Sequence, residues 1–111
     1  MRMRKSLMKQ YNLRARSVER NAEGGTDEIW LQAVPIEAII WQASGKVQAE
    51  IYGERLTYIK NMEYAGEQSI QENDGICVYV DAEHDPDYAV VAINRDVSPM
   101  QITLERRLGG G

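Results

Sequence analysis

The sequence predicts a mostly β fold, a small antiparallel barrel of about six short strands with a central insertion that is mobile or holds a short helix. Three observations carry that expectation. Apolar and polar residues alternate over several short stretches, the period of a half-buried strand. Gly, Asn, Asp and Pro residues punctuate those stretches as turns. Closing so many short strands into a barrel also removes edges that would invite aggregation.

The first strand is read over residues 10–19, where Tyr11, Leu13 and Ala15 alternate with Asn12, Arg14 and Arg16. Val18 breaks the parity, so a bulge or the strand end is expected nearby. Residues 21–27 form a Gly-, Asn- and Asp-rich turn, and a second strand region spans residues 28–41. Together they read as a long hairpin. Pro35 cannot donate to a central ladder, so a bend or an edge is expected there.

Residues 43–55 have no clean period and two glycines, Gly45 and Gly53. Val47, Ile51 and Tyr52 would share one face of a short helix that Gly53 ends. Leaving such groups in water is unfavourable, by ~1.5–3 kcal/mol relative to full burial of an aliphatic side chain. A loop ordered by a partner is therefore expected, with a short helix packed over a barrel mouth as the alternative. Residues 56–64 read as a strand, although Ile59 and Lys60 each spoil the alternation. Residues 75–80 form a short, nearly continuous apolar strand, expected where both faces are covered. An acidic loop over 81–87 leads to the apolar strand 88–94. After a turn at 96–99, Met100, Ile102 and Leu104 point inward from the last strand.

The 111 residues are one domain's worth. Residues 1–8 read as a disordered basic arm, 10–107 as the barrel and 108–111 as a flexible tail. Residues 1–20 hold seven cations and one acid, a net +6, so the other six cations and sixteen acids leave the remainder at −10. Such an arm, with Arg2, Arg4, Lys5 and Lys9, suits a negative partner, either nucleic acid or an acidic subunit. No stretch approaches the ~18 apolar residues of a membrane span, and no apolar segment follows the basic start as in a secretory signal. A single cysteine, Cys77, excludes an internal disulfide framework, makes a cytosolic setting the default, and sits in an apolar run as a buried thiol.

Chemistry leaves little trace. His84 is the one histidine, among Asp81, Glu83, Asp85 and Asp87. The spacing matches no EF-hand, and no second histidine or cysteine completes a zinc site. No nucleophile elbow, P-loop or dinucleotide fingerprint is present, so no catalytic residue, metal or cofactor is expected. The aromatics mostly fall on apolar strand faces and are not interleaved with cations, which disfavours a nucleic-acid barrel. Trp30 and Trp41 are the candidates for an interface anchor.

The order of these signals has a counterpart. A basic first strand leads to Gly24-Gly25-Thr26-Asp27-Glu28-Ile29-Trp30, then to Trp41-Gln42-Ala43-Ser44. An insertion with Ala49 and Gly53 precedes a strand ending at Tyr64. Asp87-Tyr88-Ala89-Val90 and a last alternating strand follow. Over residues 8–107 this resembles the small head-completion, or head–tail joining, proteins of tailed bacteriophages and prophages. Ile51-Tyr52-Gly53-Glu54-Arg55-Leu56 and Glu72-Asn73-Asp74-Gly75-Ile76 also look like segments of phage minor capsid proteins. The longer acidic loop at 81–87 departs from that family.

The resemblance implies a non-enzymatic head-closure subunit of a β-barrel with a long contacting loop. It would assemble as a ring between the portal or its adaptor and the tail, in the virion, after a time in the bacterial host cytoplasm. The implied partners are the portal, adaptor and tail proteins of the same phage, with the chain monomeric when isolated. Val47, Ile51, Tyr52 and Arg55, with Trp41, are the interface candidates. The second reading is a small barrel binding single-stranded nucleic acid through the basic arm.

Overall fold

The computed structural model describes residues 7–107. Six strands close into an antiparallel barrel in the order β1-β4-β5-β8-β7-β6, with β6 returning to β1. They are β1 (Lys9–Arg14), β4 (Val34–Gln42), β5 (Ile59–Tyr64), β6 (Gly75–Cys77), β7 (Tyr88–Asn94) and β8 (Met100–Arg106). Two further strands, β2 (Arg16–Arg20) and β3 (Thr26–Trp30), form a separate hairpin. Inward-facing Leu13, Ile36, Met62, Ile76, Val90 and Leu104 belong to one continuous core cluster. This period-two burial is what the alternation of β8 and β5 demands.

The expected long hairpin exists, but a bulge divides it. Leu13 pairs with Val34 and Arg16 with Trp30, so Arg14 and Ala15 oppose three residues, Leu31, Gln32 and Ala33. The break thus lies nearer Ala15 than Val18. It separates the outer half of the hairpin from the barrel's sheet. Arg14 meets the carbonyls at the break, donating from Nε to Leu31 O (2.8 Å) and from Nη2 to Trp30 O (2.9 Å). Pro35 pairs with Asn12 inside β4, where β5 does not reach, since β5 meets β4 only over Ile39–Gln42. The proline therefore occupies a local edge.

Two strand expectations are too long, each for a side-chain reason. Only Gly75–Cys77 is strand, because the Asp87 carboxylate accepts the N–H groups of Val78 (2.8 Å) and Tyr79 (3.0 Å) in place of a ladder. Gly53–Tyr58 is a 3-10 segment, and β5 starts at Ile59. There the Gln42 amide donates to the carbonyls of Leu56 (3.1 Å), Thr57 (3.4 Å) and Ile59 (3.0 Å). Residues 46–52 form helix α1 (Lys46–Tyr52), ended at Gly53, whose φ of 56° favours glycine. Of the two readings of the insertion, the short helix is the one present, and a 3-10 segment follows it to Tyr58.

Buried Asp74 staples the loop before β6 to the rest. Its Oδ1 accepts the Arg16 N–H (3.2 Å) and its Oδ2 the Gln71 N–H (2.9 Å). Gly75 lets this region close, since a Cβ there would overlap the buried Pro86 ring and lie 3.1 Å from Trp30. No helix among the described residues is long and apolar enough to cross a membrane.

Candidate interaction site

Helix α1 leaves the end of β4 and returns into β5, so it marks one end of the barrel. Antiparallel pairing brings the start of β1, the end of β8 and the start of β7 to that same end. Two features meet there: an apolar helix surface and a buried lysine.

The helix contributes no buried residue. Val47 and Ile51 are four apart and so share a face. They are 68% and 67% exposed. Seven residues cannot sustain an isolated helix in water, so its tethers matter. The main one is an amide pair. Gln48 Nε2 donates to Asn61 Oδ1 (2.9 Å), and Asn61 Nδ2 donates back to Gln48 Oε1 (3.1 Å). Gln48 Oε1 also accepts the Ser44 N–H at 3.3 Å. The 3-10 segment is tied separately, by Arg55 Nε donating to Glu105 Oε2 at 2.9 Å.

Beside the helix, register places Trp41, Asn61, Thr103 and Ala92 in one row across the outer face of β4, β5, β8 and β7. A cavity of about 410 Å³ opens over this row, with Gln48 on the helix side and Asn94 and Gln101 at the far end. Its lining carries no charge. Trp41 is 41% exposed. Of the two tryptophans, Trp30 is half-buried, with the Arg107 guanidinium 4.8 Å from its ring centroid.

Of the sequence's interface candidates, Val47, Ile51 and Trp41 are thus exposed at one end of the barrel. Tyr52 is half-buried, and Arg55 is exposed but ion-paired with Glu105. Of the basic arm, Arg2, Arg4 and Lys5 lie outside the described residues, and Lys9 is the exposed first residue of β1. Two other cations of the basic first twenty are engaged internally. Arg14 holds backbone carbonyls, and Arg16 pairs with Glu28.

The barrel mouth holds a residue whose role sequence reasoning missed. Lys60 points inward and is only 8% exposed. Its ammonium donates to Gln42 Oε1 at 3.3 Å and lies 5.1 Å from the Tyr79 ring centroid and 5.7 Å from that of Tyr88. No carboxylate pairs with it among the described residues, and residues 1–6 and 108–111 contain no Asp or Glu. Burying an unpaired ammonium costs several kcal/mol, whereas a cation–π contact returns ~0.5–2 kcal/mol. Burial pushes the phenols of Tyr11 and Tyr88 upward, with Lys60 acting in the opposite direction on both. Tyr79 flanks the ammonium and is itself 73% exposed. The signal was present in the sequence, since Lys60 is the cation on an otherwise inward-facing position of its strand.

The acidic loop is organised by its own hydrogen bonds. His84 Nδ1 meets Asp81 Oδ1 at 2.6 Å, and this contact raises the imidazole and lowers the carboxyl from their ordinary values. Cys77 is buried, and its burial, followed by the Asp87 charge, pushes the thiol up.

No protein-family model, curated protein or solved structure matches this chain. The arrangement itself therefore carries the functional reading. It offers an apolar helix ridge, a neutral groove with a tryptophan at its side, and a tyrosine-rimmed mouth, all displayed outward.

Proposed function

We propose that the chain is a structural joining subunit that docks onto other protein subunits through α1 and Trp41. The setting is that of a tailed-phage head–tail connector, a ring between portal or adaptor and tail. One observation carries the reading: Val47 and Ile51 stand in water on a helix that has no fully buried residue in its own subunit. An apolar pair so placed gains most from a partner's surface. The order of sequence signals supports the phage setting, and ring closure by repeated heterologous contacts suits a small barrel with one protruding helix. Arg14 and Arg16 are engaged in internal contacts, so the alternative nucleic-acid reading rests on the basic arm, Arg2, Arg4, Lys5 and Lys9.

Co-expression with the products of the reading frames flanking its own tests this. A ring-shaped complex is expected by electron microscopy, lost with Val47→Asp/Ile51→Asp while the barrel stays folded. Particles made without this chain should show filled heads and unattached tails. Joined, infectious particles in its absence would overturn the connector role, and salt-sensitive oligonucleotide binding by the chain alone would favour the nucleic-acid barrel.

A further inference from the structure

We propose that the α1 end of the barrel is a binding site for a single carboxylate, received by the Lys60 ammonium beneath a rim of Tyr79 and Tyr88. The site stands independently of docking through α1. Lysine has three donors, and Lys60 uses one on a neutral amide at 3.3 Å. The two tyrosine faces flank the ammonium but accept no conventional hydrogen bond from it. A buried cation in this condition is stabilised by an incoming anion, and no side-chain carboxylate of the chain supplies one.

The charge at the mouth selects the class of anion. Asp87 and Arg106 both act on the Tyr88 phenol, in opposite directions. The charge held between the two rings is the single Lys60 ammonium, which matches a monoanion better than a phosphate dianion. Arg106 pairs with Tyr88 across β7 and β8, but the groups that touch the ammonium itself are Gln42 and the two rings, with no guanidinium fork of the kind that grips phosphate among them. The backbone around it is fixed, because the Asp87 carboxylate holds the Val78 and Tyr79 N–H groups and Gln42 is anchored to three carbonyls. Exposed Tyr79 is the element free to swing aside and then close over the bound group. The carboxylate is either that of a free small acid or that of an Asp or Glu side chain on a docked protein.

Amide NMR titrations of the full chain with acetate, with acetyl-Ala-Glu-Ala-amide and with phosphate, all at one ionic strength, test the site. Saturable shifts at Gln42, Lys60, Tyr79 and Tyr88 are expected with acetate and the peptide. Tighter binding of the peptide assigns the source to a protein side chain, and tighter binding of acetate to a free acid. Lys60→Met should abolish saturation while leaving the spectrum of β1 and β6 in place. Tyr79→Ala, which removes an exposed ring, should weaken acetate several-fold without unfolding the chain. Absence of saturable shifts with both carboxylates, the same shifts in Lys60→Met, or phosphate binding as tight as acetate would each overturn the proposal.

Discussion

Gln48 on α1 and Asn61 on β5 hold each other by two amide hydrogen bonds, 2.9 and 3.1 Å long, and this pair is the main side-chain tie between the helix and the barrel. Each such bond contributes ~0.5–1.5 kcal/mol net. Gln48→Ala should therefore free α1 without unfolding the barrel. In hydrogen exchange, the amides of α1 should exchange at least tenfold faster than in the wild type, a change of ~1.4 kcal/mol in opening free energy. Those of Met100–Arg106 should be unchanged. Equal loss of protection in both regions would mean that the helix is part of the barrel's cooperative unit.

Val47 and Ile51 should be nearly silent in the isolated chain. Exposed positions change stability by about 0.5 kcal/mol or less when substituted. Val47→Ser/Ile51→Ser should leave the urea midpoint in place and diminish co-purification with docking partners. A stability loss above ~1 kcal/mol would show that the pair is buried within its own subunit.

Gly75→Ala should be among the most damaging small substitutions. The new methyl would overlap the Pro86 ring and press on Trp30, both parts of the packing that closes the barrel at β6. Overpacking of this kind destabilises by ~1–3 kcal/mol. Thermal melts should show a drop of several degrees, about 4–8 °C per kcal/mol for a domain near this size. A midpoint unchanged from wild type would mean that Pro86 moves aside freely.

Lys60→Met should not destabilise the fold. Replacing a buried, poorly paired charge with an apolar side chain of similar length is neutral or stabilising by ~1–4 kcal/mol. Urea unfolding should show an equal or higher midpoint. A loss above ~1 kcal/mol would show that Gln42 and the two tyrosine rings satisfy the ammonium on their own.

His84 and Asp81 predict a local pH response. The folded imidazole titrates above its ordinary value because it bonds the Asp81 carboxylate, which titrates below its own. The His84 contribution is therefore complete below the ordinary imidazole value and lost as pH rises through the raised one. The Asp81 contribution is present above the ordinary carboxyl value and lost as pH falls through the lowered one. Proton NMR should place the His84 midpoint above that of a free histidine, and Asp81→Asn should return it. An identical midpoint in the two proteins would remove the pair.

The sequence by itself determined the barrel's inner face. Alternation over Met100–Arg106 and the apolar stretch of β7 follow from a period-two chain that must bury one side, and the burial of Ile102, Leu104 and Val90 follows with them. It also marked the two ends of helix α1, because Gly45 and Gly53 adopt backbone angles that punctuate a helix. Strand limits were not legible, since they were decided by side chains distant in sequence: Asp87 for Val78 and Tyr79, and Gln42 for Leu56 and Thr57. Nor could the sequence tell Trp30 from Trp41, one against Arg107 and one outward in the row with Asn61 and Thr103. Lys60 shows the same division. Its breach of the alternation was visible in the chain, but only closure of the barrel brought Gln42, Tyr79 and Tyr88 around it without a carboxylate. Local pattern reports which face a residue occupies; the partners across that face are set by strand register and barrel closure, which are non-local.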